Sequence, residues 1–99
     1  MNIVKSIEGN AATLAPDGRL DTTTAPELEA AIDALDDSVT ELTLDLENLR
    51  YISSAGLRVL LNTQKKANAS GGTMKLTHVN EEIMDVFDMT GFVSFLTIE

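Results

Sequence analysis

The chain reads as a small mixed α/β domain, a single mixed sheet in the order β-β-α-β-α-β-α-β with its helices mainly on one face. Three observations predict it. Apolar residues recur at every second position in some segments and at helical three-and-four spacing in others, and the two kinds alternate after an opening pair of short strand-like runs. A β-α-β connection is right-handed and demands parallel neighbours, while the opening pair is separated by a turn only. With 99 residues, 43% of them hydrophobic and spread along the length, there is room for one core, and a single domain over residues 1–99 is expected.

The opening pair, Asn2 to Ile7 and Ala11 to Ala15, is bounded by Gly9-Asn10 and Pro16-Asp17-Gly18, which predicts a hairpin whose tight turn takes a positive φ. Thr24-Ala25-Pro26-Glu27 fits a capping box with proline in the first turn. Leu28, Ala31, Ile32 and Leu35 then mark a first amphipathic helix running to about Leu35, with Glu27, Glu29, Asp33 and Asp36 on its solvated face. Leu42, Leu44 and Leu46 alternate with Thr43 and Asp45 as a third strand. A loop through Asn48 and Arg50 is expected next, leading to Ser53-Ser54. The second helix presents Leu57, Leu60, Leu61 and Ala67, places Lys65 and Lys66 near its carbonyl end and stops at Ser70-Gly71-Gly72. A fourth strand from Thr73 to His78 follows, then a third helix capped by Asn80 and ended by Gly91. Phe92 to Ile98 is expected to supply a last short strand.

A formal net charge of −9 repels phosphate backbones and anionic lipid, so nucleic acid and membrane surfaces are not expected partners. No run is long enough to span a bilayer, and the alternating start lacks the apolar core of a secretory signal, which makes the cytoplasm the expected location. Without cysteine there is neither a disulfide nor a thiolate site, and His78 is the only histidine, so no metal and no cofactor are expected. Residues 1–50 carry three basic and eleven acidic side chains, whereas Tyr51 to Asn80 contain no carboxylate, only Arg58, Lys65, Lys66 and Lys75.

Ile52-Ser53-Ser54-Ala55-Gly56-Leu57 opens that non-acidic stretch, between a strand-like end and a helix start. A phosphate added there meets free backbone N–H groups and the positive end of the helix dipole, with little repulsion, so Ser54 is a candidate switch. Serine is also a preferred N-cap, and one of the pair meets that need whatever the function. Asp21 equally suits a turn or cap, and Thr22, Thr23 and Thr24 form a hydroxyl cluster that also serves as helix entry. Arg58, one turn beyond Ser54, suits steadying a phosphate or an acidic partner, and equally a solvated surface, the commoner role of an exposed arginine. Asp45 is expected to have a structural role near the helix start, and His78 to be a strand-end residue without catalytic duty. Met84 and Met89 near Phe87 and Phe92 suit either an adaptable contact patch or the core, and core packing is the expectation. No Gly-x-Ser-x-Gly elbow and no phosphate-binding glycine loop occur, so neither hydrolysis nor ATP turnover is expected and the chain is not read as an enzyme.

Five segments together resemble a STAS domain, the family named for sulfate transporters and anti-sigma factor antagonists: Gly18-Arg19-Leu20-Asp21, Leu44-Asp45-Leu46, Ile52 to Leu57, Gly71-Gly72, and Phe87-Asp88-Met89-Thr90-Gly91. The family pattern at the second helix is Asp-Ser-Ser/Thr-Gly, so the resemblance puts Ser53 where the aspartate stands and makes Ser54 the phosphoacceptor, with Ser53 the alternative. It implies a partner-switching antagonist. The unphosphorylated form binds an anti-sigma factor that is also a serine kinase and frees a sigma factor. Phosphorylation at Ser54 releases it, and a PP2C-type phosphatase resets it. Asp21, Thr22, Thr23, Ser53, Gly56 and Arg58 are the implied partner-binding surface. The alternative is a constitutive STAS interaction subunit of a larger assembly such as a lipid-transport ATPase complex.

Overall fold

In the computed structural model, which describes residues 1–99, β1 (Asn2–Glu8) and β2 (Ala11–Leu20) form the expected antiparallel hairpin, in register from Asn2 opposite Asp17 to Glu8 opposite Ala11. Gly9 makes the turn possible at φ +62°. β2 is ten residues long and is used twice. Ala11 to Leu14 pair in parallel with β3 (Glu41–Asp45), and Gly18 to Leu20 pair in parallel with β4 (Leu49–Ile52), with a register shift between Gly18 and Arg19. β5 (Thr73–Thr77) lies parallel on the far side of β3, giving the order β1-β2-β3-β5 with β4 beside the second half of β2.

Strand alternation sets the two faces. Ala12, Leu14, Leu42, Leu44, Met74 and Leu76 are buried on one side, while Thr43 and Lys75 look to the other. Helices α1 (Ala25–Asp33), α2 (Ser54–Ser70) and α3 (Glu81–Thr90) supply Leu28, Leu57, Leu60, Ile83 and Phe87 to the same core. Asn80 caps α3 as expected, its side-chain oxygen accepting from Ile83 N–H at 2.9 Å and its amide donating to Leu49 O at 2.8 Å, which ties α3 to β4. Gly71 and Gly91 end α2 and α3 in the left-handed conformation.

The mixed sheet with helices on one face is therefore as read from the sequence, and several details differ. The stretch through Arg50 is a strand, because Leu49 and Ile52 both bury against the core while the chain runs along β2. Phe92 to Ile98 is not a strand: Phe92–Ser94 make a 3-10 turn, and only Ile98 bridges to Leu76. Helix α1 stops at Asp33, short of Leu35, whereas α2 ends at Ser70 as expected, with Lys65 and Lys66 before its last turn. β2 runs on to Leu20 through the Pro16-Asp17-Gly18 expected to end it, and Met89 is exposed rather than in the core. The capping box is not made, since the Thr24 hydroxyl is engaged elsewhere. No helix is long and apolar enough to cross a membrane.

Candidate functional site

The C-terminal ends of β2 and β4 bring the two segments singled out in the sequence together. Ser53 N–H donates to Leu20 O at 2.9 Å, one step beyond the β2–β4 ladder, so the serine pair and the Asp21 turn leave the sheet at adjacent points. Gly56 holds them there. A Cβ on it would lie 2.8 Å from Ile52 Cγ1 and from Leu20 Cγ, so the first turn of α2 rests directly on both strands. Gly56 is buried beneath the site, where it makes this close approach possible.

The two serines have different environments. Ser53 occupies the N-cap position with extended backbone (φ −98°, ψ 177°), yet its side chain makes no capping bond and its hydroxyl oxygen is buried without a hydrogen-bond partner. Ser54 is the first residue of α2 and is exposed. The first bond of the helix runs from Leu57 N–H to Ser53 O at 2.9 Å, so the N–H groups of Ser54, Ala55 and Gly56 have no acceptor within the helix. Arg58, exposed one turn on, takes part in no ion pair.

The Asp21 turn is bonded throughout. Asp21 Oδ1 accepts from Thr23 Oγ1 at 2.7 Å, from Thr23 N–H at 3.0 Å and from Thr24 N–H at 3.2 Å. The Thr24 hydroxyl donates to Arg19 O at 2.6 Å and accepts from Asp21 N–H at 2.8 Å. The Thr23 hydroxyl, reinforced by the Thr23 and Thr24 N–H groups, holds the Asp21 carboxyl below the usual carboxylate range against the opposing effect of desolvation. Thr22 is exposed at the rim.

Two residues that sequence reasoning passed over complete the surface. The Arg19 guanidinium lies 4.1 Å above the centre of the Tyr51 ring, and its Nε is 3.9 Å from Asp21 Oδ2. The β2–β4 register makes Arg19 and Tyr51 neighbours, a pairing that no local spacing announces.

His78 follows β5 at φ +54° and directs Nδ1 to Asp45 Oδ1 at 3.0 Å, while Asp45 Oδ1 also accepts from Glu47 N–H at 3.1 Å. Asp45 thus has a structural role, in the turn after β3. Donor atoms of Asp45, Glu47 and His78 lie within 4.8 Å of one another, the one grouping with metal-ligand chemistry, and it is largely exposed. Neither serine hydroxyl is hydrogen-bonded to the histidine, so no nucleophile–base pair is formed.

The family profile of the STAS domain matches residues 2–99. The chain belongs to the STAS domain family. Among curated relatives it is 31% identical to the anti-sigma-B factor antagonist of Bacillus subtilis over 81 residues, covering 82% of this chain and 74% of that one. Among solved structures, an anti-sigma factor antagonist from Mycobacterium paratuberculosis superposes with a TM-score of 0.85 at 24% identity, over 98% of this STAS chain and 83% of the other. The Bacillus cell fate determinant SpoIIAA in its phosphorylated form superposes with a TM-score of 0.77 at 18% identity, over 99% and 91% of the two chains. These two structural likenesses concern the fold.

Proposed function

We propose that this STAS protein is an anti-sigma factor antagonist of the bacterial cytoplasm. Its unphosphorylated form binds an anti-sigma factor serine kinase and so frees a sigma factor, and phosphorylation of Ser54 releases it until a PP2C-type phosphatase resets it. The observation that carries the reading is the contrast within the serine pair: the Ser53 hydroxyl is buried, whereas Ser54 is exposed on the first turn of a helix whose leading N–H groups have no helical acceptor. A dianion on Ser54 is accommodated by those groups and leaves the fold intact, while in an interface it costs desolvation and like-charge repulsion. The names of the curated relatives support antagonism of an anti-sigma factor. Asp21, Thr22, Thr23 and Arg58 are the surface offered to the partner around Ser54, and Ser53 and Gly56 act from below it.

The test is intact mass with site mapping after wild type and Ser54→Ala are incubated with ATP and a lysate of the source cell. One phosphoryl group on wild type alone is expected, with release of a bound ATP-binding kinase as it forms. Phosphate on Ser53 moves the switch by one residue. No modification of either protein while a partner stays bound replaces the switch by a constitutive interaction subunit.

A further inference from the structure

Arg19 is held in place by contacts that leave its hydrogen-bonding capacity unused. Its guanidinium stacks on Tyr51 at 4.1 Å and faces Asp21 Oδ2 at 3.9 Å, a distance for charge attraction and too long for a hydrogen bond. An arginine carries five N–H donors in a rigid fork, and no protein group accepts from any of those of Arg19. The Arg19 side chain is 63% exposed and Tyr51 is 40% exposed, so the pair stands as a cation stacked on an aromatic base at the surface. Asp21 stays ionised through its threonine bonds and offers only Oδ2 to the arginine.

A guanidinium stacked on an aromatic ring with its donors free fits a planar two-oxygen acceptor, because its rigid N–H fork matches the two carboxylate oxygens. Arginine and tyrosine are also the residue types in which interface binding energy concentrates. Arg19 pairs with Tyr51, which opens a stretch, Tyr51 to Asn80, without a carboxylate, and the acid beside the stack is Asp21, whose Oδ1 is already engaged by its threonine bonds. We infer that the Arg19–Tyr51 stack is a preformed anchor that binds a carboxylate side chain of the protein partner. This rests on the antagonist reading for the identity of the partner and adds the residue pair that selects it.

The probe is the purified kinase that phosphorylates the chain in the experiment above or, if none does, the protein that stays bound to wild type. Its affinity is measured by titration calorimetry for wild type, Arg19→Ala, Arg19→Lys, Tyr51→Leu, Arg19→Ala/Tyr51→Leu, Ser54→Glu and Arg19→Ala/Ser54→Glu, each checked for an unchanged fold by circular dichroism. Arg19→Ala is expected to weaken binding about 30-fold, and Arg19→Lys about 10-fold because lysine keeps the charge and loses the fork. Tyr51→Leu should resemble Arg19→Ala, and the double variant should be no weaker than Arg19→Ala, since the two act as one unit. Equal binding by wild type and Arg19→Ala overturns the anchor, and if Ser54→Glu still loses binding the switch stands without it. Loss in Arg19→Ala with none in Ser54→Glu keeps the anchor and discards the switch. Recovery of binding by Ser54→Glu when Arg19 is removed shows an internal clamp on the phosphoserine position and overturns the partner contact.

Discussion

At the start of α1 each backbone donor meets an acceptor: Thr23 and Thr24 N–H reach the Asp21 carboxylate, Thr24 and Ala25 N–H reach Asp21 O, Pro26 has none to place, and Glu27 N–H reaches Thr24 O. At the start of α2, which leaves the same end of the sheet, three N–H groups have no helical acceptor and the cap hydroxyl of Ser53 is buried without a partner. Capping a helix stabilises it by about 1 kcal/mol, so an uncapped start in a small domain forgoes stability that a single side chain would supply. The closed turn gives a fixed wall and the open turn beside it gives a place where added charge is tolerated.

The strongest way to break this contrast is to push the open turn off the sheet. Gly56→Val places carbon where Ile52 and Leu20 already stand, and a loss of about 3 kcal/mol is expected from the urea midpoint, with phosphate acceptance at Ser54 lost alongside. Closing the open turn should have a smaller effect of opposite sign. Ser53→Asp supplies a carboxylate at the N-cap, and a gain of about 1 kcal/mol is expected by the same measurement. The smallest effect concerns the closed turn and appears only as a function of pH. The Asp21 carboxyl titrates below its ordinary range, so its contribution is present above the unfolded value of about 3.9 and is lost as pH falls through the lower folded value. The thermal-midpoint difference between wild type and Asp21→Ala is therefore expected to be constant near neutrality and to shrink below about pH 4. A difference that persists unchanged into acid assigns the role of Asp21 to the hydrogen bonding of its side chain whether or not it is charged.

Local patterns carried most of the fold, and the failures have physical causes. Asn80 and Gly91 were legible because a cap and a left-handed stop each act within a few residues. β4 was not, because Leu49 and Ile52 are three apart and its pairing with β2 is long-range, so no alternation marks it. The apolar tail after Gly91 resembles a strand by composition, but only Ile98 finds a partner on β5. The capping box failed because the Thr24 hydroxyl bonds back to Arg19 O, leaving Asp21 to serve the turn. In the site, the serine pair and Asp21 were readable from their types and order. The burial of Ser53 Oγ and the stacking of Arg19 on Tyr51 arise only once β4 lies on β2.

The double use of β2 also joins contacts of very different sequence separation. Its hairpin with β1 closes over a turn of two residues, whereas pairing Ala11 with Glu41 and Leu20 with Ile52 requires about thirty residues of intervening chain to be gathered, with a correspondingly larger loop-closure cost. The hairpin has the smaller loop to close. The end of the molecule that carries Ser54 forms only when β4 docks, so the surface a partner would meet does not exist on a half-folded chain.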